Sequence, residues 1–131
     1  MSEKIAIIAA NGGLFDAYKV FNIATAAAAT EKEVQIFFTF EGLNLIHRKA
    51  MHALEMPVGK EHFAKGFEQA NIPSISELVE IAQELGVKFI ACQMTMDVMG
   101  LTKEDFVNGI EVGGAVTFLE FAKDAAPTLT F

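Results

Sequence analysis

The chain is poor in several residue types that carry common chemistries. Its 131 residues include one cysteine, no tryptophan, three prolines, and 10 Lys+Arg against 17 Asp+Glu. A lone thiol, Cys92, forms no internal disulfide, no Cys-x-x-Cys couple and no all-cysteine zinc site, which removes disulfide scaffolds and thioredoxin-type redox chemistry. The formal charge of −7 opposes a phosphate backbone, which binds proteins largely by releasing counterions to basic side chains. Nucleic acid and anionic membrane are therefore poor partners. The apolar run at the start, MSEKIAIIAA, stops at Asn11-Gly12-Gly13, and no later stretch approaches the roughly 18 apolar residues of a membrane span. A cytoplasmic, soluble protein is expected, with one domain over residues 1–131, since this length supports one sizeable core and not two.

What is plentiful is apolar. The chain is 52% hydrophobic with a mean hydropathy of +0.34, a surplus that predicts a sheet buried on both faces, an oligomer interface, or both. Lys4 to Ala10 is a continuous apolar run closed by two glycines and reads as a first strand. Leu14, Ala17, Tyr18, Phe21, Ala24 and Ala28 recur at spacings of three and four and predict a helix to Ala29. Val34 to Phe40 is a β-branched and aromatic second strand, followed by a predicted helix from Gly42 to Met56 that Pro57 stops. Phe63 and Phe67 suggest a short helix between Val58 and Ile72. Ser74 with Glu77 forms a capping box for a helix closed by Gly86, and Thr102 with Asp105 repeats the pattern. Val87 to Ala91 reads as strand three with Cys92 just past its end, Ile110 to Val112 as a fourth strand, Gly114 to Ala125 as a helix, and Thr128 to Phe131 as a terminal strand. Alternating strands and helices make βαβ units, hence an α/β fold with a mostly parallel sheet and helices on both faces. In such sheets chemistry collects beyond the carboxyl ends of the strands. Asn11-Gly12-Gly13, Phe40-Glu41-Gly42 and Cys92-Gln93-Met94 converge there.

At a strand end, a turn or helix start can aim backbone N–H groups at a thiolate and raise its reactivity. A nearby Asp97 carboxylate would act in the opposite direction. Spacing tests narrow the chemistry. A peroxiredoxin-type site needs Pro and Thr seven and three residues before its cysteine, where this chain has Leu85 and Phe89. A rhodanese-type loop needs a cation soon after the cysteine, whereas Gln93 to Leu101 has none. A cysteine hydrolase needs a histidine base, for which His47, His52 and His62 are the only candidates; His47 and His52 follow the second glycine turn, so one could reach the strand ends, but no pairing signature supports it. What stays feasible is a covalent carrier that accepts a group from a donor sulfur and passes it to another thiol.

The segment Ala91-Cys-Gln-Met-Thr-Met-Asp-Val-Met-Gly100 resembles the cysteine signature of the DsrE/DsrF-like family, in a branch often labelled peroxiredoxin-family protein. Gly13-Leu-Phe-Asp16, Phe37-Phe-Thr-Phe-Glu-Gly-Leu43 and Gly113-Gly114 match the same branch in order. The resemblance spans nearly the whole chain. It implies a three-layer α/β/α domain with a five-stranded parallel sheet, a homo-oligomer, and a sulfur carrier or sulfurtransferase-like role in which Cys92 holds sulfur as a persulfide. The implied partners are sulfur-donor and sulfur-acceptor proteins or low-molecular-weight thiols, and no cofactor is implied.

Other constellations point less sharply. Cys92, Met94, Met96 and Met99 form a soft donor set for Cu(I), against the simpler reading that the methionines fill gaps. His47 and His52 miss the spacing that puts two imidazoles on one helical face, so no metal site is assigned. Asn11-Gly12-Gly13 lacks both the GxGxxG spacing and the P-loop Lys-Ser/Thr, and reads as a tight strand-to-helix turn. The expected site is thus Cys92, with Asn11, Gly12, Gly13, Phe40, Glu41, Gly42, Gln93, Met94 and His47 as its pocket. The competing function is a non-catalytic ligand-binding or regulatory oligomer whose thiol is structural.

Overall fold

The hydrophobic runs become five parallel strands. In the computed structural model, which describes residues 3–131, these are β1 (Lys4–Ala9), β2 (Glu33–Phe38), β3 (Lys88–Cys92), β4 (Glu111–Gly113) and β5 (Thr128–Thr130), in the order β4-β3-β2-β1-β5. Between them lie α1 (Leu14–Ala29), α2 (Phe63–Gln69), α3 (Ile75–Glu84), α4 (Gln93–Met99) and α5 (Ala115–Ala122). The chain adds strands in one direction from β1 to β4, then returns to the free edge of β1. Right-handed crossovers place helices on opposite faces when the direction reverses.

Parallel register keeps aligned residues on one face. Ile5, Ile7 and Ala9 of β1 stand beside Val34, Ile36 and Phe38 of β2, then Phe89 and Ala91 of β3, and α1 and α3 cover them. Alanines on α1 let it approach closely: Ala17, Val20, Phe21, Ala24 and Ala27 are buried. Phe21, Phe38 and Phe89 meet at ring-centroid distances of 5.4–6.2 Å, with Phe38 and Phe89 edge to face. The opposite face is smaller. There Ala6, Phe37, Ile90 and Cys92 pack under Phe118 of α5. Both faces are covered, which is why the strands read as unbroken apolar runs, and the architecture is a single α/β domain in three unequal layers.

Local signals work as the sequence predicts at α3, where the Glu77 N–H donates to Ser74 Oγ at 3.2 Å and Gly86 takes φ +88 after the last turn. At α1 the Gly13 N–H donates to Asp16 Oδ2 at 3.1 Å and the Leu14 N–H to the Glu55 carbonyl at 2.9 Å. These internal acceptors occupy the donors that a phosphate would use.

The predicted helix from Gly42 to Met56 does not form. Two 3-10 segments, Phe40–Leu45 and Ala50–His52, stand in its place. Leu43, Leu45 and Ile46 are all buried. His47 Nδ1 accepts the N–H groups of Lys49 and Ala50, both at 3.1 Å, replacing helical bonds with local side-chain ones. Phe40, expected at the end of β2, lies beyond it in a left-handed conformation. Cys92, expected just past β3, is its last residue. The short helix around Phe63 and Phe67 is present as α2, resting on α1 through Phe15–Phe63 at 5.2 Å and Tyr18–Phe67 at 4.8 Å.

Candidate functional site at Cys92

Cys92 is both the last residue of β3 and the N-cap of α4, with φ −69 and ψ 115. No loop separates strand from helix, so the thiol is fixed at the carboxyl edge of the sheet. It is 5% exposed. On one side stands β2 with Thr39 and Phe40; on the other, Gly113 pairs with Cys92 and leads into α5. Gly113 is closely packed: a Cβ there would come within 3.1 Å of Ile90 Cγ2 and of Thr117 Oγ1, so both side chains would have to yield.

Burial pushes the Cys92 thiol up, because it disfavours the charged form. Four donors act against it: the Thr95 hydroxyl and N–H, the Thr39 hydroxyl and the Met94 N–H. Their sum prevails, and the thiol titrates below its ordinary value. The sulfur closes no side-chain capping bond of its own. Asp97, the acid that could have opposed the thiolate, instead accepts the Gln93 Nε2 at 2.8 Å on the exposed side of α4.

The expected pocket divides in two. Phe40, Gln93 and Met94 belong to the thiol's surroundings: Gln93 and Met94 open α4, and the Phe40 N–H donates to Thr95 Oγ1 at 3.1 Å. Phe40 and Met94 are 55% and 57% exposed. Gly12, Gly13 and Glu41 instead wall a cleft of about 520 Å³ with Asn44, Leu54, Glu55 and Met56, and Cys92 is not among its walls. Gly42 is buried against the Ala9 carbonyl and Asn11 is exposed. His47 is bound into its own turn and stacks edge-on against Phe106 at 5.9 Å. The soft donor set is also dispersed: Met96 packs into the core under α1 and α3, and Cys92 into the cluster under α5. An apolar hollow of about 530 Å³ at Phe63, Phe67 and Ile72 lies by α2, on the far side of the sheet from the thiol.

The chain and its fold have counterparts among known proteins. The model of the DsrE/DsrF/DrsH-like family matches residues 1–68 and 56–130. The chain belongs to the DsrE/DsrF/DrsH-like family. Among its relatives, the sulfur carrier protein DsrE2 of Allochromatium vinosum is 36% identical, with 94% of each chain covered. The uncharacterized protein YrkE of Bacillus subtilis is 28% identical over 98% of this chain and 96% of its own. In three dimensions the fold is shared with the ychN protein of E. coli, at a TM-score of 0.65 and 19% identity with both chains fully covered. It is shared also with MTH1491 of Methanobacterium thermoautotrophicum, at 0.67 and 16%, covering 99% of this chain and 100% of that one.

Sequence reasoning overlooked Thr39 and Thr95, the two hydroxyls beside the sulfur in this DsrE/DsrF/DrsH-like chain. Thr95 was legible: it stands three residues after an N-cap cysteine, where the side chain of the cap meets the third helical residue. Thr39 was not, since only the pairing of β2 with β3 brings it near. No helix among the described residues is long and apolar enough to cross a membrane.

Proposed function

We propose that the protein is a cytoplasmic sulfur carrier in which Cys92 accepts and passes on sulfur as a persulfide. The observation that carries this reading is the thiol itself, held at a strand-to-helix junction among donors that favour its thiolate, in a chain 36% identical to a named sulfur carrier. The Cys92 thiolate attacks the outer, sulfane sulfur of a donor R–S–SH. A bond forms between Sγ and that sulfur, the donor S–S bond breaks, and its electron pair leaves on R–S⁻. No net oxidation occurs, so the step needs no cofactor. With one cysteine in the chain, the sulfur has to leave to a thiol on another protein or a small molecule. Phe40, Met94, Val98, Val116 and Leu119, all more than half exposed, supply apolar surface for docking and for a closed homo-oligomer.

Intact-mass spectrometry after incubation with a persulfide donor tests the reading. One added sulfur on the wild type and none on Cys92→Ser is expected; equal loading of both, or none, overturns it. The low exposure of the thiol favours one other reading, a regulatory oligomer with a structural cysteine. In that case Cys92 would alkylate no faster than in the unfolded chain.

A further inference from the structure

Arg48 is exposed, yet its position is fixed from several directions. Its backbone N–H donates to the Asp105 carbonyl at 2.9 Å, the Val107 N–H donates to the Ile46 carbonyl at 3.0 Å, and His47 pairs with Phe106, so residues 46–48 run antiparallel to 105–107. The side chain continues along the same loop. Nε donates to the Glu104 carbonyl at 3.0 Å and Nη2 to Asn108 Oδ1 at 2.7 Å. Gln83 Nε2 fastens the loop from α3 by donating to the Asn108 carbonyl at 2.6 Å. A guanidinium has five N–H donors, and these two bonds use the edge shared by Nε and Nη2. The opposite edge, Nη1 with the second proton of Nη2, meets no acceptor among the described residues. It is a planar fork held in place before any ligand arrives.

The fork also lacks a carboxylate. In a chain with 17 Asp+Glu against 10 Lys+Arg, Lys4, Lys32, Lys88 and Lys123 each pair with an acid, whereas Arg48 and Lys103 pair with none among the described residues. Asp105 is engaged elsewhere, accepting the Thr102 N–H at 2.8 Å. Arg48 and Lys103 instead line a pocket of about 210 Å³ beside buried Phe106, with Glu104 as the single acid among its walls. Two cations against one acid leave the pocket positive, and its volume lies below the roughly 300 Å³ at which sites for drug-sized ligands begin. Paired N–H donors in one plane match two oxygens carried by one atom, and a second cation favours a doubly charged ion over a singly charged one. We infer that the Arg48–Lys103 pocket binds a small tetrahedral oxodianion, of the sulfate or phosphate class, with two of its oxygens on the free Arg48 edge and Lys103 as the second charge. Cys92 does not line the pocket, so the inference stands apart from the carrier reading.

Isothermal titration calorimetry of the full-length chain with sodium sulfate, at an ionic strength held constant with chloride, tests the assignment. One saturable site is expected, with inorganic phosphate competing for it and acetate binding at least about tenfold more weakly. Lys103→Gln and Arg48→Lys should each weaken sulfate about tenfold, the loss of one charge-assisted hydrogen bond; Arg48→Lys keeps the charge and removes only the fork. Lys49→Gln alters a neighbouring lysine outside the pocket walls and should leave the affinity unchanged. The inference is overturned by a wild type without saturable binding, by acetate binding as tightly as sulfate, by unchanged affinity in Lys103→Gln or in folded Arg48→Lys, or by an equal loss in Lys49→Gln and Lys103→Gln, which would reduce the effect to net charge. Should near-UV circular dichroism show Arg48→Lys unfolded, Lys103→Gln decides, because the Lys103 side chain bonds to no described residue and its replacement leaves the loop intact.

Discussion

Gly42 sits against the backbone carbonyl of Ala9, so closely that a Cβ on Gly42 would overlap it and come within 3.2 Å of the Ala9 to Ala10 amide nitrogen. The Ala9 carbonyl also accepts the Thr39 N–H at 3.0 Å, and the Gly42 N–H donates back to the Thr39 carbonyl at 2.9 Å. The turns that end β1 and β2 are therefore clamped backbone to backbone. Because the obstacle is main chain in a sheet, it cannot swing aside as a side chain would. Gly42→Ala should cost about 3 kcal/mol or more, the upper range for overpacking. Urea unfolding measures it, and a loss below about 1 kcal/mol would show that the clamp yields.

Phe40 carries the opposite expectation. Its left-handed backbone costs roughly 1–2 kcal/mol in a residue with a Cβ, and the ring is 55% exposed, so little burial repays the strain. Phe40→Gly removes that strain, while the freer unfolded chain takes back about 0.5–1 kcal/mol. Stability should hold or rise slightly. The exposed ring next to Thr39 is lost as well, so Cys92 should alkylate faster. Slower alkylation would mean the ring assists access instead of limiting it.

The thiol also ties stability to pH. Its folded-state titration lies below the ordinary cysteine value of 9.0, so between the two values the unfolded chain binds more protons than the folded one. Stability therefore rises with pH across that window, and the gain is lost as pH falls through the folded-state value. Urea unfolding at a series of pH values should show this slope in the wild type and a smaller one in Cys92→Ser. A slope of the opposite sign would mean that burial, not the hydroxyl and N–H donors, controls the sulfur.

Much of the fold could be read from periodicity, and the reasons are specific. α1 and α3 each bury one stripe, so spacing found them; β1, β2 and β3 are covered on both faces, so unbroken apolar runs found them. The stretch from Gly42 to Met56 misled because its buried residues are fixed by contacts distant in sequence. His47 pairs with Phe106 in an isolated bridge, and Arg48 donates to the Glu104 carbonyl and to Asn108 Oδ1 across 56 and 60 residues. At the site, Cys92 was legible from its place at the end of an apolar run. The pocket was not, since convergence at the strand ends does not say on which face each side chain emerges. Gly12 and Gly13 open onto a cleft that the thiol does not line.

The thin layer over Cys92 offers a final contrast. α5 contributes Phe118, 5% exposed and 5.5 Å from Phe37 by ring centroid, as the large side chain covering the thiol's cluster. Phe118→Ala should cost about 3–5 kcal/mol through lost contact and a residual cavity. It should also speed Cys92 alkylation under native conditions, because α5 has only eight residues with which to hold its place and would open locally. Ser74→Ala, on the other face, removes the cap of α3 and should cost about 1 kcal/mol without changing the alkylation rate. Acceleration of both variants in proportion to their losses of stability would show that the sulfur is exposed only by global unfolding, and that local opening of α5 does not uncover it.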